Sequence, residues 1–289
     1  MDTSNKIKWS EIILFSFISY VLAWIYWIPF LLKGMEGIRA FPGPYGFANG
    51  MFAPMIAALI MRLFISREGL KNSLGILRHW RYYLIALLVP AAYAGLLVLV
   101  IVSTRQSSFS WPGERSLWMS IPFLMLKSLQ EIPLGVGEEY GWRGYLLPRL
   151  LPLGEIKATV LVGLIWCFWH LPMMVMGMNY PGQNVIVSSV VFTVFVVLMS
   201  FPFTWLFLAS RCSVLAVALF HIALDVFTDI FCSPACLPEG NQLFVSSAGI
   251  TSCLLLLAII VLRYTVFKNR MNRTPSCGRE TTTGPGGHS

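Results

Sequence analysis

The chain has 289 residues, of which 56% are hydrophobic and 12% charged, with a mean hydropathy of +0.70. Soluble domains carry roughly a quarter charged residues, so this composition cannot cover a water-facing surface and most of the outside must face lipid. The net charge of +8 lies in short segments between apolar runs and reads as membrane topology. There is no basic stripe interleaved with aromatics and no nucleic-acid motif, so nucleic acid is not an expected partner.

The apolar runs are continuous rather than alternating, which selects helices over a closed barrel. The expected fold is all-α: a polytopic transmembrane bundle of about eight helices with residues 1–268 as the membrane domain. The first run, Trp9 to Leu32, follows Lys6 and Lys8. It is longer than the roughly 7–15 apolar residues of a signal core and reads as a retained anchor. Further spans are expected at Ala48 to Ile65, Tyr82 to Ser103, Trp118 to about Leu147, Ala158 to Met178, Val185 to Ser210, Val214 to Phe231 and Ser247 to Val266. The fourth holds Pro133, Gly135 and Gly137, which predicts a kink or break. The polar tail, residues 269–289, is expected to be disordered.

Orientation follows the lysines and arginines. One alternating set of connecting segments holds just Lys33, Arg39, Arg105 and Arg115, and the other holds the rest of the flanking basic residues. Both termini are therefore expected in the cytoplasm. The segment from His79 to Tyr83 reads as an interfacial anchor, and His288 falls in the tail. Cys232 and Cys236 share a loop, where the alternatives are a disulfide or two buried thiols. No internal repeat is visible, which counts against many secondary transporters.

Ionisable side chains inside a bilayer cost roughly 2.5–3.5 kcal/mol each on insertion scales, and they persist where function or pairing compensates. Here Lys127, Glu131, Glu138, Glu139, Arg143, His170, His221, Asp225 and Asp229 fall in or near spans four, five and seven. At about 1.5 Å per residue, Glu138 lies ~14 Å, His170 ~18 Å, His221 ~11 Å and Asp225 ~17 Å from the cytoplasmic ends of their spans. Three helices thus bring acids and imidazoles to a similar depth. His221 and Asp225 share one helix face at i,i+4, as do Glu139 and Arg143, whereas Glu138 points about 100° away and could face a cavity. Such a set activates water in one of two ways. A carboxylate acts as general base with a histidine tuning it, or histidine and carboxylate ligands hold a zinc ion. The bland readings are a histidine bonding between helices, self-compensating pairs at Glu139–Arg143 and Lys127–Glu131, and a structural Asp229.

The stretch Gly137-Glu138-Glu139-Tyr140-Gly141-Trp142-Arg143-Gly144 resembles the EExxxR motif of the CPBP family of intramembrane proteases. That family takes in the type II CAAX prenyl endopeptidases and the Abi, bacteriocin-immunity-associated proteins. Its FxxxH motif is matched at His170, with Trp166 where phenylalanine is usual, and its third motif by His221 and Asp225. The resemblance covers about Lys127 to Asp229, inside a family core of about 118–231.

It implies an intramembrane endopeptidase acting on membrane-associated peptides, prenylated or of the pheromone or bacteriocin type, in the cell membrane of a prokaryote. By carry-over Glu138 and His170 activate water, while His221 and Asp225 bind the oxyanion or complete the site. Glu139 and Arg143 support the geometry or hold substrate. In a zinc enzyme the ligands would be Glu138, His170 and His221; the family's other description is metal-free. The other classes left open are a non-catalytic immunity or binding protein and an ion-coupled transporter. Expected partners are membrane lipid and a peptide or protein substrate.

Overall fold

The computed structural model describes residues 7–34, 37, 46–75, 80–112, 117–178 and 180–266. His79, His288 and the 269–289 tail lie outside the described residues. All regular structure among the described residues is helical. In chain order the helices are α1 (Trp9–Leu31), α2 (Gly46–Ile65), α3 (Arg81–Ser103), α4 (Leu117–Gln130), α5 (Ile132–Gly141), α6 (Glu155–Trp169), α7 (Leu171–Val175), α8 (Val185–Ala209), α9 (Val214–Phe231) and α10 (Ile250–Val266). Among the described residues, six helices are long and apolar enough to cross a membrane; α10 counts with the short helix before it. The chain is an integral, multi-pass membrane protein.

The two other expected spans are segmented, and proline explains both. Pro133 has no N–H to give the Leu129 carbonyl, so α4 ends at Gln130, the chain turns at Glu131 and α5 begins. The fifth span was expected to reach Met178 but stops at Trp169. Pro172 can neither donate to the Phe168 carbonyl nor avoid it, so the helix breaks and α7 starts anew. The break leaves His170 at the helix end, its backbone N–H turned to the Cys167 carbonyl at 3.0 Å.

After Gly141 the chain winds one wide π-turn, Trp142–Leu146, before the short helix Leu147–Leu150. Arg62 reaches from α2 to donate to the Gly144 carbonyl of this turn at 2.7 Å. Arg62 also pairs with Glu68, and Arg149 pairs with both Glu11 and Glu68. This brace holds one end of the bundle. Glu11 lies near the start of α1, while Tyr264, near the end of α10, donates to Glu155 at 2.9 Å. Arg149 and Glu155 flank the same turn, so α1 begins and α10 ends at the same end of the bundle.

α9 is the central helix, buried along most of its length and packed against α3, α4, α5 and α8. α5 can approach it closely because of Gly135. A Cβ there would stand 2.5 Å from the Ala218 carbonyl oxygen and 2.9 Å from Ile222. Small residues at such crossings let membrane helices meet backbone to backbone. Gly135→Ala is expected to cost about 1–3 kcal/mol by overpacking, seen as a lower melting temperature in detergent. Unchanged melting would show that the crossing has slack.

Cys232 and Cys236, just past α9, are free buried thiols and not a disulfide. Burial pushes Cys232 up to about 12 and raises Cys236 as well. Both stay protonated at neutral pH and pack as small apolar groups.

Candidate active site

The two adjacent glutamates part company, as a 100° step between neighbours requires. Glu139 turns to α9 and Glu138 to α6. Both are buried, and each is held by named donors.

Glu138 Oε2 accepts the indole N–H of Trp142 at 3.1 Å and that of Trp166 at 2.8 Å. The first donor is one turn along the same segment; the second comes from α6. Glu138 therefore meets a wall of indoles where the spacing argument allowed an open cavity. Its Oε1 has no hydrogen-bond partner among the described residues.

Glu139 Oε1 and Oε2 accept from Arg143 Nη1 at 2.8 and 3.0 Å, and Oε1 also accepts from His221 Nδ1 at 2.8 Å. Arg143 is fully buried. Its guanidinium stands over the rings of Trp166 and Phe203, with centroid distances of 4.7 and 4.3 Å. Planar delocalised charge stacks on aromatic faces in this way, and a lysine would not. Arg143 Nε and Nη2 have no hydrogen-bond partner among the described residues.

His221 lies between two carboxylates. Nδ1 gives its proton to Glu139, and Nε2 lies 3.6 Å from Asp225 Oδ2. Asp225 is the open member of the set, with 49% of its side chain exposed. His170 is bound differently. Its Nδ1 lies 2.9 Å from the Trp166 carbonyl. A carbonyl can only accept, so Nδ1 carries the proton and Nε2 keeps a lone pair. The ring is fixed edge-on against Trp169 and Phe192 at 4.8 and 5.3 Å.

The structure thus brings Glu139, Arg143, His221 and Asp225 into direct contact, and joins Glu138 to His170 through Trp166. Lys127 and Glu131 pair with each other at 2.9 Å, and Asp229 is exposed toward the far end of α9. Sequence reasoning missed the two indoles as hydrogen-bond donors to the site. A signal was present: Trp142 is four residues after Glu138, and Trp166 four before His170, so each shares a helix face with the group it serves.

A zinc ion here would need several of these donors around one point. Among the described residues, no three His, Cys, Asp or Glu side chains form a group placed to hold a metal ion. Glu138 Oε2 is turned to two N–H donors, and each histidine spends Nδ1 on an oxygen acceptor. Each of the three keeps an atom outside these bonds, Glu138 Oε1 and Nε2 of each histidine, and an imidazole held at Nδ1 by an oxygen is the usual form of a metal ligand. The donor chemistry suits zinc, while the placement of the described side chains does not gather them around one point.

A family model falls on the same part of the chain. Residues 117–227 match the family model described as type II CAAX prenyl endopeptidase Rce1-like. The curated protein CAAX prenyl protease 2 of Methanococcus maripaludis is 27% identical over 119 residues, which is 39% of this chain and 44% of that protein. The match therefore spans less than half the length of that relative.

Proposed function

We propose, for a chain whose residues 117–227 match the Rce1-like type II CAAX prenyl endopeptidase family model, that it hydrolyses peptide bonds of membrane-associated substrates inside the bilayer. The observation that carries this reading is Glu138, buried, with Oε2 held by two indole donors and Oε1 left over. A carboxylate fixed in this way keeps a free acceptor of defined direction.

Glu138 Oε1 takes a proton from water as the oxygen attacks the scissile carbonyl. The same carboxyl then gives that proton to the leaving amine, so the proton count closes within one residue. His170 Nε2, with its lone pair, holds the second hydrogen of the attacking water. His221 and Asp225 face the developing oxyanion, where a protonated imidazole or carboxyl supplies the donor. Glu139 and Arg143 touch neither water nor substrate in this scheme; they fix the tautomer and angle of His221. The substrate is a peptide with a membrane-embedded or lipid-modified segment, and a prenylated C-terminus is the variety the relative's name suggests. The setting is the cell membrane of a prokaryote.

The test compares peptide termini in host membranes expressing wild type or Glu138→Ala at equal levels. Termini seen with the wild type alone would support hydrolysis and identify substrates. Identical termini, with both proteins folded, would move the reading to a non-catalytic binder. Chelation separates the two routes to activated water. EDTA or phenanthroline is expected to leave turnover unchanged; loss restored by added zinc would return the metal reading with Glu138, His170 and His221 as ligands.

A further inference from the structure

Trp166 meets four residues of the site, Glu138, His170, Arg143 and His221, and it bonds two of them through chemically different groups. Its indole N–H donates to Glu138 Oε2 at 2.8 Å, and its own backbone carbonyl accepts His170 Nδ1–H at 2.9 Å. Its ring lies under the Arg143 guanidinium at 4.7 Å and meets the His221 ring edge-on at 5.4 Å. The residue is 6% exposed, so water does not compete for the indole proton.

Two indoles hold Glu138, but they do different work. Trp142 is four residues from Glu138 in the same segment, so its bond at 3.1 Å is local to α5 and the π-turn. Trp166 is 28 residues away on α6, and its bond crosses between helices. The phenylalanine usual at this place in the resembling family would fill the space and stack on Arg143, but it has no N–H to give. We propose that Trp166 is a positioning residue that fixes the Glu138 carboxylate relative to the His170 imidazole. One side chain and its own carbonyl set the distance between the proposed base and the imidazole that shares its water. Charge-assisted bonds of this kind are the strong ones, more so in a low-dielectric interior.

The catalytic consequence rests on the hydrolytic reading, whereas the hydrogen bond itself can be read without any substrate. Two measurements on the full chain in detergent keep them apart. The first is the ultraviolet resonance Raman marker of indole N–H hydrogen bonding, taken as the difference between each background and its Glu138→Ala counterpart. Removing Glu138 from the wild type should release two indoles, and removing it from Trp166→Phe should release one. The difference signal should therefore fall by about half, as two donors to one carboxylate become one. Equal signals in the two backgrounds would overturn the proposal. So would an absent signal in the wild type, a comparison that stands even if Trp166→Phe does not fold.

The second measurement uses a fluorogenic farnesylated peptide ending in a CAAX sequence. Trp166→Phe should lower kcat about 10–100-fold, the range expected when a catalytic group is misplaced by an ångström or less, and leave KM within about twofold because no substrate contact is removed. Trp142→Phe, which leaves the bond between helices intact, should lose less. A Trp166→Phe enzyme with wild-type kcat would overturn the proposal. A wild-type chain that leaves the peptide intact counts against the hydrolytic reading, and the Raman comparison then decides Trp166 alone.

Discussion

Glu138→Gln is expected to reduce turnover by about 10²–10⁴-fold, the contribution of a positioned general base, while leaving the fold intact. Glutamine is nearly the same size and shape as glutamate. Its amide oxygen can stay on the two indole donors of Trp142 and Trp166. The NH2 group then occupies the place of Oε1, where it cannot take a proton from water. The burial of Glu138 favours the neutral replacement, because no charge is left without its partners. Melting temperature should be unchanged or slightly raised, and activity should not return at any pH. The check is turnover and thermal melting on the same purified sample. Turnover near wild type would remove Glu138 from the role of base. Lost turnover together with lost folding would leave Glu138→Ala in the membrane-terminus experiment as the cleaner variant.

Much of the fold was legible because lipid imposes a strict rule. A spanning helix needs about 20 apolar residues, and α1, α2, α3, α8, α9 and α10 can be read from that alone. Pro133 announced the break between α4 and α5. The end of α6 was not legible from hydropathy, since apolar residues continue through Met178; Pro172 carried that information but also fits a kinked, continuous span. Depth counting placed the ionisable groups at one level without showing that they meet. The bond from His221 to Glu139 joins residues 82 apart in sequence, and it depends on Gly135 letting α5 settle on α9. The indoles escaped for a different reason. Tryptophan is mostly apolar surface, so in a membrane protein its single N–H is easily discounted, yet two of these N–H groups hold the central carboxylate.

The second large effect is expected at the buried ion pair. Arg143→Ala should destabilise the protein by about 3–5 kcal/mol, because removing one partner leaves the other as an uncompensated buried charge. Arg143 and Glu139 are both fully buried and pair at 2.8 Å. Glu139 would keep just His221 as a donor, and the rings of Trp166 and Phe203 would face an empty slot where the guanidinium stood. Replacing both charges separates stability from function. Glu139→Gln with Arg143→Met removes the pair, fills the slot with an apolar chain and should recover most of the lost stability, since buried pairs often exchange with apolar groups at little cost. Turnover should stay low, because a glutamine oxygen orients His221 Nδ1 without the carboxylate's charge. Thermal melting and turnover on the single and double variants form the cycle. A double variant as unstable as Arg143→Ala would show that the charge pair is not what the fold depends on. A double variant that is both stable and fully active would show that His221 needs neither Glu139 nor Arg143 to hold its angle.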